Sequence, residues 1–295
     1  MMNTQPKQPS VITNAMSIDV EDYFQVAAFK SNIDPRQWDS LPCRIERNMD
    51  IVLALLRKNN VKATFFTLGW VAQRYPTLVR SIVAEGHELA SHGYGHQMVG
   101  DLTPESFRED ISKAKQILED ISGVAIKGYR APSFSIALKT LWAHDVLANT
   151  GHQYSSSVYP IKHDLYGMPN APRFGYYLKN GLIEIPATSV RLGERNFPAA
   201  GGGFFRLFPS ALSHAIIRKV NRDDRQSAIF YCHPWEFDPD QPRVAGASRK
   251  SRFRHYINLK QNPHKFDLLL QAFKWAPMRD VFSHLLATDS ARRAA

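Results

Sequence analysis

From residue 15 to residue 233, short apolar runs alternate with longer stretches of helical apolar spacing, and four of the runs stop in polar clusters. AMSID (15–19), KATFFTLG (62–69), HELAS (87–91), AIKGYR (125–130), a stretch near HQYSS, LIEIPATSV (182–190) and SAIFYCH (227–233) have the β-branched, apolar character of buried strands. Between them, residues 46–60, 70–86, 103–123, 137–148 and 209–221 have helical spacing. The second helix is interrupted near Pro76 and stopped at Gly86. In the third, Thr103 suits the N-cap, Pro104 the first helical position and Gly123 the end. Strands alternating with helices call for βα units and a parallel sheet. At 295 residues this predicts an α/β fold, a closed or nearly closed (β/α) barrel, with its reactive side chains just beyond the C-terminal strand ends.

Composition narrows the class. Apolar residues make up 44% and charged residues 22%, enough apolar material for a sizeable core. Cys43 and Cys232 lie far apart and form no CxxC, so neither a disulfide scaffold nor a thiol redox motif is expected. The start, MMNTQPKQPSVITNA, has no apolar h-region, and no run reaches the roughly 18 apolar residues of a membrane span. A soluble, cytoplasmic protein is the expectation. The net charge of +10 thickens in RVAGASRKSRFRHYINLKQNPHK (243–265), which could meet an acidic glycan, a lipid diphosphate, a membrane surface or nucleic acid. No nucleic-acid-binding motif accompanies it, so a nucleic-acid partner is not expected. The expected layout is a loose tail over 1–14, a barrel over 15–239 and a basic helical extension over 240–295 packed on the barrel.

The chemistry-bearing clusters sit at the strand ends. In SIDVEDYF (17–24), Asp19, Glu21 and Asp22 crowd three carboxylates together. Such charges repel unless a cation or proton relieves them, and a divalent ion would leave one carboxylate free to act as a base. SHGYGH (91–96) places His92 and His96 four apart, with Gly93 and Gly95 allowing a tight loop. Two imidazoles and one carboxylate meet the needs of a catalytic zinc site with an open position. His87, by contrast, reads as a structural strand residue. YRAPSF (129–134) offers Arg130 to pair with a carboxylate and the Ser133 backbone N–H to face an oxyanion. FYCHPWEFD (230–238) ends a strand in His233, with Glu236 and Asp238 close enough in sequence to poise it as a general acid. Tyr23, Phe134 and Trp235 are candidates to line a sugar cleft, although core packing is the commoner use of such rings.

Taken in order, SIDVEDYFQV, RNMDIVLALL, VKATFFTLGWVA, GHELASHGYGH, GYRAPSFSI, FYCHPWEFDPDQPRV and SRFRHYINL resemble the polysaccharide deacetylases of carbohydrate esterase family 4. The chain is most similar to the subfamily associated with exopolysaccharide and PEP-CTERM (exosortase) loci. The resemblance implies a distorted (β/α) barrel of about seven strands. It implies hydrolysis of an N-acetyl group on a glycan, with release of acetate. It also implies one divalent ion, usually zinc, with cobalt or nickel as alternatives, held by His92, His96 and a carboxylate. Asp19 matches the base, Arg130 its partner, His233 the proton donor and Ser133 the oxyanion position. The metal carboxylate is Asp22, which restores the family's usual aspartate, or Glu21, which matches alternating forms. Where relatives often carry an aspartate after the tyrosine of QYSSSVYP (153–160), this chain has Ser155. The expected partner is an N-acetylated glycan, anionic or lipid-linked. Competing readings are a hydrolase of small amides of the allantoinase type and a non-catalytic glycan-binding module.

Overall fold

The computed structural model describes residues 12–163, 167–199 and 201–287. Its axis is β1, Thr13–Val20, a strand buried along nearly its whole length. Around it lie β2 (Thr64–Thr67), β3 (Glu88–Ser91), β4 (Gly128–Tyr129), β5 (Tyr154–Ser155), β6 (Tyr176–Tyr177) and β7 (Ile183–Glu184). The hairpin β8 (Ser189–Leu192) and β9 (Arg195–Pro198) stands apart as a two-stranded sheet. Next come β10 (Ile229–Cys232) and β11 (Lys274–Ala276). The main sheet runs β10-β1-β2-β3-β4-β5-β7-β6. It is parallel from β10 to β7, and only β6 runs against its neighbour. A curled, incompletely closed (β/α) barrel of this kind is the fold class expected from the alternating pattern.

Register decides what the barrel presents. Ile18 lies opposite Cys232 and Phe65, Thr67 opposite Ser91, and Ser91 opposite Tyr129. Parallel strands in this register end on one rim. The residues that follow three of them, His92, Arg130 and His233, therefore emerge beside Asp19 near the end of β1.

The helices wrap the sheet with stripes set by their sequence. In Pro104–Ser122 the buried residues are Phe107, Ile111, Ala114 and Leu118, one helical face. Thr103 caps it through the Ser106 amide, and Gly123 closes it with φ 70°. Pro76, which lacks an N–H, separates helix Gly69–Arg74 from helix Pro76–Ala84.

Two differences from the sequence reading have simple causes. The strand expected over 182–190 breaks at Pro186, which cannot donate to a ladder; its first part is β7 and its second the hairpin strand β8. The stretch beyond 239 is helical as expected, at Arg249–Tyr256, Asn262–Ala272 and Met278–Val281, but it also supplies β11, which pairs with Thr13–Ala15 of β1. That pairing also takes Thr13 and Asn14 out of the expected loose tail, whose residues 1–11 lie outside the described residues. No helix among the described residues is long and apolar enough to cross a membrane.

Candidate active site

Asp19 and Arg130 meet inside the rim. The Arg130 guanidinium is fully buried and donates from Nη1 to Asp19 Oδ1 (2.6 Å) and to Ser17 Oγ (2.8 Å). Its other edge donates to Ser156 O and Oγ, and its face lies 4.0 Å from the Phe66 ring. Strand-end groups on one side and Met278 Sδ of the C-terminal helix Met278–Val281 on the other fix this arginine, so the carboxylate of Asp19 is held in one orientation.

The HxxxH loop is held from two sides. Gly69 N and Trp70 N, at the start of helix Gly69–Arg74, donate to the carbonyls of Gly93 and Tyr94. Asp110, on helix Pro104–Ser122, accepts from the amides of Tyr94 (2.8 Å) and Gly95 (3.1 Å). Gly93 has φ 75°, and a Cβ there would stand 2.6 Å from Asp110 Oδ2, so glycine is required twice over. His96 itself adopts a left-handed φ of 50°, which turns its ring inward. His92 Nδ1 lies 2.8 Å from the Arg130 carbonyl, which leaves Nε2 as the nitrogen able to ligate. Burial pushes the pKa of the His92 imidazole down to about 4, so the ring is uncharged at neutral pH.

The two candidate metal carboxylates separate cleanly. Glu21 Oε2 lies 2.5 Å from His96 Nε2. Glu21, His92 and His96 each bring one donor atom within 4.8 Å of the others. Burial pushes the Glu21 carboxyl up, but the surrounding His96, His233 and His92 imidazoles outweigh it and hold the group far below the usual carboxylate range. Asp22, the other carboxylate expected from the sequence, points elsewhere. Its carboxylate caps the turn Tyr23–Gln25, accepts from the Arg44 amide (2.5 Å) and lies 3.1 Å from Cys43 Sγ. The structure thus brings Glu21, and not Asp22, to the histidines. Two imidazole nitrogens and one carboxylate oxygen form a donor set suited to zinc.

His233 follows β10 and faces the same carboxylates, with Nε2 at 3.9 Å from Asp19 Oδ2 and 3.7 Å from Glu21 Oε1. Burial lowers its pKa, but Glu236, Glu21 and Asp19 more than reverse this and carry it to about 9. Of the two nearby carboxylates, Glu236 faces the ring, at 3.6 Å from Nδ1, while Asp238 turns away to pair with Arg44. Ser133 has φ 54° and Phe134 φ 51°, two successive left-handed residues that bend the chain directly after Arg130.

Two cavities border this rim. One, ≈ 430 Å³, is lined by His96, Trp38, Met98 and Lys30. The other, ≈ 340 Å³, is lined by Ser133, His233, Trp235, Phe253 and Lys250. Val26 and Ala27 border both. Among the rings expected in a cleft, Trp235 lines the second cavity, but Tyr23 and Phe134 line neither. Tyr23 packs edge-on to Phe24 within the core, and Phe134 packs on Tyr159 and Tyr231. Phe134 points into the protein towards rings distant in sequence, whereas Tyr23 packs on its chain neighbour. His87 is structural as read: its Nδ1 accepts from the Ala63 amide. Sequence reasoning gave no role to Asp110, Arg206 or His255, which act on the site through other residues; Asp110 and Arg206 carry no local motif, and His255 lies within SRFRHYINL.

Residues 37–155 match the family model described as Polysaccharide deacetylase, and residues 156–283 match one described as Domain of unknown function (DUF3473). The first match contains His92, His96, Arg130 and Ser133, and the second contains His233 and Trp235; Asp19 and Glu21 precede both. A peptidoglycan-N-acetylglucosamine deacetylase of Bacillus cereus is 38% identical over 93 residues, 31% of this chain and 34% of that protein. A chitooligosaccharide deacetylase of Azorhizobium caulinodans is 34% identical over 82 residues, 28% of this chain and 39% of that protein. A peptidoglycan deacetylase of Helicobacter pylori is 28% identical over 107 residues, 36% of each chain. The chain therefore spans well under half the length of these curated relatives. Over nearly the full length, the fold is similar to a Mycobacterium smegmatis protein described as a polysaccharide deacetylase (TM-score 0.59, 19% identity, 95% of each chain). It is equally similar to Puue allantoinase (TM-score 0.59, 14% identity, 94% of this chain and 91% of that one). At these identities the likeness is one of fold.

Proposed function

We propose, from the support that the family model and the curated relatives give to a place among the polysaccharide deacetylases, that this chain is a metal-dependent hydrolase that removes N-acetyl groups from a glycan and releases acetate. The observation that carries the reading is one rim where the Glu21, His92 and His96 donors stand beside an Asp19 fixed by Arg130 and beside His233. Glu21, His92 and His96 would hold one divalent ion, zinc by its donor set, with cobalt or nickel as substitutes. Such an ion supplies Lewis acidity and lowers the pKa of water.

The remaining work falls to side chains and backbone. Asp19, oriented by Arg130, takes the proton of the attacking water. As the new C–O bond forms, the Ser133 N–H stabilises the oxyanion. His233, kept protonated at neutral pH by the carboxylates around it, delivers a proton to the nitrogen as the C–N bond breaks. The products are acetate and a free amine on the sugar.

A polymer suits the site better than a small amide, because space continues on both sides of the rim rather than closing over it. Trp235 borders one side, and Lys250, Phe253 and Arg254 bring helix Arg249–Tyr256 to its edge. This basic edge of the C-terminal extension favours an anionic or lipid-linked exopolysaccharide or its precursor, with binding that weakens as salt rises. The test is acetate release from N-acetylated chitooligosaccharide and from N-acetylated acidic glycans by the zinc-loaded protein, with allantoin as the competing substrate. Hydrolysis of allantoin without acetate release from any glycan would overturn the reading. Glycan binding without hydrolysis of either would leave a binding module in its place.

A further inference from the structure

The segment matched only as a domain of unknown function contributes more than His233. Trp235 Nε1–H donates to Glu21 Oε1 at 3.1 Å, across 214 positions of sequence. This leaves Oε2 turned to His96 Nε2. A glutamate must freeze one more side-chain torsion than an aspartate to present its carboxylate, and Glu21 stands beyond the end of β1, where no ladder holds it. A rigid indole donor removes that freedom.

The indole is itself immobilised. It lies between two imidazoles, stacked on His255 (4.0 Å between centroids, 12° between planes) and on His233 (5.1 Å, 17°). His255 is held by Gln241 Oε1 at 2.7 Å, and Gln241 Nε2 donates to the carbonyls of Trp235 and Asp238. Arg206, buried, closes the set. It donates to Glu236 Oε1 and to the carbonyls of Arg254, His255 and Ile257, with its guanidinium 5.2 Å from the indole. Every group in this brace lies between residues 206 and 257, inside the 156–283 match.

We propose that Trp235 is a positioning residue that aims Glu21 at the metal, and that bracing it is one function of the 156–283 segment. This rests on the metal-dependent reading above, and it changes the part expected of Trp235 from sugar stacking to carboxylate orientation. The two parts differ in what they predict for an experiment without substrate.

The experiment is zinc affinity, measured by chelator competition, in the parent and in Trp235→Phe, together with the melting temperature of both proteins free of metal. Phenylalanine keeps a ring between the two histidines but loses the N–H together with the second ring of the indole. The expected result is a roughly tenfold or greater loss of zinc affinity in a variant whose metal-free form still melts cooperatively, at a temperature lowered only by the lost ring volume. Equal affinity in the two proteins would overturn the positioning role while leaving the metal site standing. A parent that binds no zinc would overturn both. Should the variant not fold, the parent alone decides: the Trp235 indole proton, followed by NMR in tryptophan-labelled metal-free protein, is expected to resist solvent exchange and to shift on zinc addition. Rapid exchange, or a resonance indifferent to zinc, would refute the proposal.

Discussion

Arg130 reaches across the barrel rim to Asp19, Nη1 to Oδ1 at 2.6 Å, and both side chains are almost wholly buried. A pair in this position stabilises little by itself, but either partner left alone is an uncompensated buried charge. Arg130→Met is therefore expected to cost about 3–5 kcal/mol of stability, read from urea midpoints. Asp19→Asn should keep zinc and lose nearly all acetate release. An Asp19→Asn protein with near-normal turnover would remove Asp19 from the role of base.

Glu21 and Asp22 are neighbours with opposite expectations. Glu21→Ala should abolish stoichiometric zinc, measured by elemental analysis of dialysed protein. Asp22→Ala should retain zinc and lose about 1 kcal/mol, the usual worth of a capping side chain. Zinc lost from the Asp22 variant and kept by the Glu21 variant would reverse the assignment.

His233→Ala is expected to lower the rate by about 10²–10⁴-fold, the range for a positioned general acid, with zinc content unchanged. Concomitant loss of zinc would make His233 a ligand.

Asp110 holds two of the three inner amides of the HxxxH loop, those of Tyr94 and Gly95. Asp110→Ala should weaken zinc binding by about 10–100-fold, since support of a ligand's orientation is worth that much. Chelator competition reads it directly, and unchanged affinity would show that the glycine turn and helix Gly69–Arg74 suffice.

His152 supplies a pH prediction away from the site. Burial, with Lys115 nearby, lowers its pKa from 6.5 to about 3. The unfolded chain thus takes up a proton that the folded chain refuses. Its contribution is intact above pH 6.5 and is lost as pH falls towards 3, by up to about 1.4 kcal/mol per pH unit. Urea midpoints between pH 4 and 7 should fall less steeply with acid in His152→Asn than in the parent. Parallel slopes would show that His152 does not couple stability to pH.

The sequence by itself determined the barrel and the placement of four chemical groups on its rim. Alternating period and short parallel strands leave His92, Arg130 and His233 directly after strand ends and Asp19 near the end of β1, wherever the loops go. Local chemistry was equally legible at Thr103 and Gly123, whose roles depend on the adjacent turn alone. The choice between Glu21 and Asp22 was not, because it is made by groups far away in sequence: the Arg44 amide and Cys43 draw Asp22 outward, and the Trp235 indole draws Glu21 inward. Phe134 turned inward for the same reason, towards Tyr231, an aromatic partner that only the folded chain brings to it. Strand periodicity sets where a backbone ends, but a side chain in the loop beyond has several rotamers of similar energy, and tertiary contacts select among them.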